Sequence, residues 1–293
     1  MPDCKFRKIF LLVFIIIAGV LFDRQSDRIN RLERELSRLR GIPLRLYQVE
    51  NRTAFLYGKV VDYIDSSGHF RIVSWRSSSS PGFIKDALLS GRKGEVTLNW
   101  GEAPLLGAGV RKPHEIYRSV LEFPEFLQKV PSDAHILAAT VYLRQQDNGL
   151  WDNGAANQML SLHALRKPWQ EVTGQGRPAH PGEVSWIFSG TGEAKWLRAG
   201  AGDPHEDYDA QPAAITGRTV EKDWNDRVAF LFTEHGMRLL ETWLQGPNRE
   251  TFGFLLKAER EDQAQTFVTF LSSDAGDEFG RPLLEVIYSV PYP

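Results

Sequence analysis

The chain has 293 residues, of which 42% are hydrophobic and 25% charged, and its net charge is −2. A near-neutral balance without a basic stripe excludes the electrostatic footprint of a nucleic-acid binder. The single cysteine, Cys4, excludes an intramolecular disulfide and leaves a thiolate zinc site without ligands.

The chain opens with residues 1–8, which contain Lys5, Arg7 and Lys8, and continues into residues 9–22, IFLLVFIIIAGVLF. A run without a charge or a side-chain amide is not stable in water and reads as a membrane segment. As a helix it rises only about 21 Å against a hydrocarbon core of about 30 Å, so the stems of the flanking basic residues extend it. A cleaved secretory signal and a single uncleaved anchor both fit that length. The residues after Ala18 and Gly19 hold no A-x-A cleavage pattern, which favours the anchor. The basic flank places residues 1–8 in the cytoplasm and the bulk of the chain outside it. For a bacterial inner membrane, that outside is the periplasm.

Residues 23–40 follow as a helical stalk with a narrow apolar seam. Phe22, Ile29 and Leu36 share one heptad position, and Gln25, Leu32 and Leu39 share the other. About two and a half heptads interrupted by a glutamine make a marginal coiled coil, so the seam asks for a protein neighbour or for its own copies. Gly41 and Pro43 end the helix.

Residues 41–93 read as a short β arm. TAFLYGKVVDYI and HFRIVSW are two strands around a turn at residues 65–68, and RSSSSPGF is a polar loop. One hairpin buries little, so the arm must pack on the larger domain or on another subunit.

Residues 94–293 form the large domain. The segments EVTLNW, RSVLEF, HILAATVYLR, MLSLHAL, RVAFLF, TFGFLLKAE, TFVTFLSS and LLEVIYSV read as strands, several with apolar and polar residues alternating. One helix is expected, over residues 233–245, with Thr233 as N-cap, Met237, Leu240 and Leu244 on one face, Trp243 nearby, and Gly246 and Pro247 as the stop. The expected class is therefore all-β, an antiparallel jelly-roll β-sandwich with one short helix, preceded by a transmembrane helix, a stalk and a β arm.

The order RSVLEF, KVPSDAHILAATVYLR, LHALRKPWQE, EVSWIFSGTGEAKWLRAGAGD, LLETWLQGPNRETFGFLLKAE and FLSSDAGDEFGRPLLEVIY resembles the DNRLRE-type domain over residues 95–288. The chain departs from that pattern at Ser132 and Asp133, which replace a turn glycine, and in the insertion at residues 149–157. The resemblance implies a jelly-roll β-sandwich of exported and surface proteins, some of which bind polysaccharide as carbohydrate-binding modules. It implies no catalytic residues.

Common catalytic signatures fail. Each glycine pair at 107 and 109, 190 and 192, and 200 and 202 lacks the third glycine of a dinucleotide loop, its place taken by Lys112, Lys195 and His205. There is no G-x-S-x-G and no H-E-x-x-H. The most charged stretch, GAGDPHEDYDAQ, brings Asp203, Glu206, Asp207 and Asp209 close in sequence. Oxygen ligands in a Gly and Pro loop suit a structural calcium, and a solvated acidic loop is the plainer reading. The acidic turn with Asp274, Asp277 and Glu278 is weighed the same way.

Among the tryptophans, Trp169, Trp186, Trp196 and Trp243 sit beside strands or on the helix and are expected in the core. Trp75, Trp100, Trp151 and Trp224 are less constrained, and Trp151, in the polar insertion, is the expected ligand platform. These features converge on a non-catalytic, membrane-anchored extracytoplasmic subunit that braces or docks onto other membrane protein subunits. A membrane-displayed carbohydrate-binding module for cell-wall or extracellular polysaccharide is the alternative.

Overall fold

The computed structural model describes residues 63–64, 70–78, 83–146, 158–171, 173–190, 194–216, 227–247 and 249–291. The expected anchor, the stalk and its seam residues Phe22, Ile29, Leu32, Leu36 and Leu39 lie outside them, as do Trp151 and Trp224. Among the described residues no helix is long and apolar enough to cross a membrane.

The fold is mostly antiparallel β, as the alternation in the sequence predicts. The strands are β1 (Tyr63–Ile64), β2 (Phe70–Arg76), β3 (Lys85–Ser90), β4 (Leu98–Asn99), β5 (Leu105–Val110), β6 (Ile116–Glu122), β7 (His135–Arg144) and β8 (Leu160–Ala164). They continue with β9 (Arg177–Pro178), β10 (Ala214–Thr216), β11 (Arg227–Phe232), β12 (Phe254–Ala258), β13 (Val268–Leu271) and β14 (Leu283–Pro291). One large sheet runs β1-β2-β14-β7-β11-β10-β8-β12-β6-β5-β13, with β3 also paired to β6, and β4 with β9 forms a separate ribbon. An isolated bridge from Gln145, just past β7, to Phe270 in β13 brings distant strands together, so the sheet curls on itself.

The arm expected over residues 41–93 contributes β2 and β3 to the same sheet as the segment after residue 94. β2 is paired along its whole length to β14, from Phe70 opposite Pro291 to Arg76 opposite Glu285. Its Arg76 Nε donates to Glu285 Oε1 at 2.7 Å. The segment before residue 94 also holds β3, which pairs with β6. The hairpin buries its apolar face by joining the larger domain, the first of the two partners open to it, and all described residues belong to one unit.

Two apolar cores share the middle strands. On β6 and β12, Leu121, Phe254 and Leu256 face the larger core with Val141, Phe230, Phe270 and Val286. Val120 and Leu255, one residue out of phase, face the smaller core with Leu89, Trp169, Trp196 and Tyr208. Side chains alternate between the faces of a strand, so strands covered on both sides read as continuous apolar runs. VL in β6 and FLL in β12 are such runs.

The expected helix forms as α2 (Glu234–Gln245), with the Thr233 side chain accepting from the Gly236 amide. Leu240 and Leu244 are buried in the larger core, and Met237 and Trp243 pack against it. A second helix, α1 (Pro124–Lys129), corrects the expectation of one. Its proline supplies the fixed φ that suits a first turn, and Phe126 anchors it in the core.

β5 was not legible as a strand because LLGAGV carries two glycines, which weaken strand propensity. Gly109 has φ of +110°, and a Cβ there would stand 2.4 Å from the Thr266 carbonyl oxygen. Close backbone approach, not propensity, sets that residue.

Candidate functional site

The acidic loop does not gather its four carboxylates around one point. Asp207 is fully buried; its Oδ1 accepts from the Leu197 amide at 2.7 Å, and its Oδ2 accepts from the Arg198 and Asp203 amides, both at 3.0 Å. The Lys167 ammonium stands 2.8 Å from Oδ1. Burial pushes the Asp207 carboxyl up, but the Lys167 contact and the three amides outweigh it and hold the group below the usual carboxylate range. Asp203 Oδ1 accepts from the His205 and Glu206 amides, both at 2.9 Å, which closes the turn. Asp209 lies 3.1 Å from His235 Nε2, and Glu206 is exposed. Asp203, Asp207 and Asp209 thus spend their oxygens on backbone amides and on neighbouring side chains. In the second acidic turn Asp277 likewise accepts from the Phe279 amide and pairs with Arg144 at 2.7 Å.

Three carboxylates do converge elsewhere. Asp86 in β3, Glu171 in the segment after Trp169, and Asp274 in the loop after β13 each place an oxygen within 4.8 Å of the others. Asp274 is the only one of them that the acidic-turn reading singled out. Asp86 is fully buried. Its amide donates to Glu171 Oε1 at 2.8 Å, and its Oδ2 accepts from the Ser273 amide at 2.7 Å. Among the described residues its other oxygen, Oδ1, has no hydrogen-bond partner. A buried acceptor left unpaired costs about 1 to 3 kcal/mol, and more when it is charged.

Three backbone segments hold the group in place. Asp86 follows from the β3 pairing, in which it sits opposite Leu121. The loop carrying Asp274 is closed by the Ala275 amide donating to Ser272 O at 3.3 Å and by the Ser272 amide donating to Pro104 O at 3.1 Å. Glu102, whose amide donates to Gly174 O at 3.0 Å, adds negative charge beside Asp274.

The electrostatics follow. Two like charges at this separation repel by about 3 kcal/mol at an effective dielectric near 20. Burial pushes the Asp86 carboxyl well above its ordinary range, with Glu171 and Asp274 adding to the rise. Burial lifts Glu171 to about 7, opposed by the Asp86 amide and by Lys85 and reinforced by Asp274. Burial, with Glu102 adding, raises Asp274. The ammonium of Lys85 does not cancel the cluster, since it pairs with Glu122 at 3.3 Å.

A buried Ser–His contact also occurs: His163 Nδ1 lies 2.8 Å from the Asp209 carbonyl oxygen, and Nε2 lies 3.0 Å from Ser161 Oγ. The carbonyl accepts only from a protonated Nδ1, which leaves Nε2 to accept from the serine hydroxyl. Both residues are buried on β8, and burial lowers the histidine to about 4. The neutral imidazole lies edge-on to Tyr208 at 5.0 Å.

Of the tryptophans expected inside, Trp169 and Trp196 are buried, and Trp186 and Trp243 are partly buried against the two cores. Trp75 packs on the larger core, and Trp100 is partly buried. The signal that would have found Asp86 is an acid leading directly into the apolar strand residues ALL, in FIKDALL. Compared with models of known protein families the chain matches none, and comparison with curated proteins finds no relative.

Proposed function

We propose that the chain is a non-catalytic extracytoplasmic module of the DNRLRE type, a jelly-roll β-sandwich held at a membrane by residues 9–22. It braces or docks onto other membrane protein subunits through the stalk. The observation that carries this reading is the juxtaposition in sequence of an uncharged fourteen-residue run with a basic flank and a seam of Phe22, Ile29, Leu32, Leu36 and Leu39. An apolar stripe directly above a bilayer is stabilised by a protein neighbour, whereas a lone stalk would be polar all round. The body adds support, because its buried ion pairs and histidine serve internal packing. Arg118, for example, makes a two-pronged pair with Glu261 at 2.9 and 2.6 Å and donates to the Gly200 carbonyl.

The test is purification from native membranes in mild detergent. Large membrane proteins are expected in fixed stoichiometry, and Leu32→Asp is expected to release them; a chain that runs alone refutes the reading. The resemblance favours one second reading, a displayed polysaccharide-binding module. Retardation in gels containing acidic polysaccharide, lost in Trp151→Ala, would establish it in place of the first.

A further inference from the structure

Beyond that reading, we propose that Asp86, Glu171 and Asp274 together ligate one divalent cation of the calcium kind, which ties three distant parts of the chain. Geometry carries the first part of the argument. Calcium holds its oxygen ligands at about 2.3 to 2.6 Å, so two ligands of one ion stand at most about 5 Å apart. The three carboxylate oxygens, all within 4.8 Å of one another, fit on one such sphere.

The second part is independent of the clustering. Asp86 is fully buried, and its Oδ1 has no donor among the described residues, while Oδ2 is already held by the Ser273 amide. Lys85 acts on Glu171 and Arg281 on Asp274, but among the described residues no side chain donates to Asp86 Oδ1. A carboxylate oxygen enclosed beside two other carboxylates has a cation as its natural partner. The neighbouring amides already serve the second shell, with Ser273 and Asp86 donating to Asp86 and Glu171.

The donor set selects the ion. All three ligands are hard oxygens and the group contains no histidine or cysteine, which disfavours zinc and copper. Calcium completes its shell of six to eight oxygens with carbonyls and water, as a site half open at the exposed Asp274 allows. The three ligands come from β3, from the segment after Trp169 and from the loop after β13. A bound ion therefore joins residues as far apart in sequence as Asp86 and Asp274, which are 188 positions apart.

The experiment uses the full chain in detergent, stripped with a chelator and then titrated with calcium chloride, with magnesium chloride in a parallel arm. Calorimetry and thermal unfolding are read together. The expected result is one calcium per chain and a melting temperature that rises with calcium, with magnesium weaker by tenfold or more. Asp274→Asn, at an exposed position, is expected to fold normally and to weaken calcium binding at least tenfold; Glu171→Gln is expected to do the same. No calcium binding at 10 mM, on the order of ten times the weakest extracellular modules, overturns the proposal. So does unchanged affinity in both variants, which would put the ion elsewhere, and so does a magnesium affinity equal to that for calcium.

Discussion

Replacing Asp207 by asparagine tests how the acidic loop is held. The aspartate is fully buried and accepts three backbone hydrogen bonds, from Leu197, Arg198 and Asp203, beside the Lys167 ammonium. Asparagine keeps one acceptor oxygen and presents an amide donor where the other stood. If the oxygen stays with Arg198 and Asp203, the Leu197 amide faces another donor and Lys167 loses its counter-charge. Charge-assisted bonds contribute about 1.5 to 3 kcal/mol each, and Lys167 recovers part of its share from water, which gives an expected loss of about 3 kcal/mol. For a domain of this size that is about 6 to 12 °C in Tm.

The pH dependence provides the control. The folded carboxyl is held below its unfolded value of about 3.9, so its contribution is fully present above that pH and is lost as the pH falls through the folded value. The gap between wild type and Asp207→Asn, measured by urea unfolding of the intact chain in detergent, should be constant from pH 5 to 8 and close in stronger acid. Lys167→Met should cost only about 1 kcal/mol, since the three amides remain. A loss under about 1 kcal/mol in Asp207→Asn would refute the reasoning.

Two further outcomes are expected. His163 is held neutral at about 4 against about 6.5 unfolded, so the unfolded chain takes up the proton first as the pH falls. Stability should drop by about 3 kcal/mol between pH 6.5 and 4 on that account, and His163→Gln should remove this share of the slope; equal slopes would show the imidazole to be uninvolved. Leu240, 1% exposed on α2, should cost about 2 to 5 kcal/mol on truncation to alanine, measured by chemical denaturation.

Much of the fold was legible where local pattern and tertiary demand agree. HILAATVYLR and RVAFLF form β7 and β11 at the residues expected, and Thr233 caps α2 as its position in the sequence predicts. EVTLNW shrinks to the two residues of β4, because its neighbours turn to meet the β9 ribbon instead of a long strand. β3 and β5 were not legible because two charged residues, Lys85 and Asp86, and two glycines broke their strand patterns. Both exceptions have a tertiary cause, a buried acid and a close backbone contact.

The sequence by itself determined the antiparallel β class, the amphipathic helix with its cap, the uncharged N-terminal run and the lack of any cysteine pair, since these depend on composition and on periods of a few residues. Only the tertiary structure decided that the segment before residue 94 joins the sheet and that two cores share its middle strands. It alone separated Asp203, Asp207 and Asp209, each beside its own donors, from Asp86, Glu171 and Asp274, which the chain scatters and the fold brings to one point. Charge density along a chain is set locally, whereas the meeting of charges depends on strand order, and strand order is fixed by which apolar faces can be buried together.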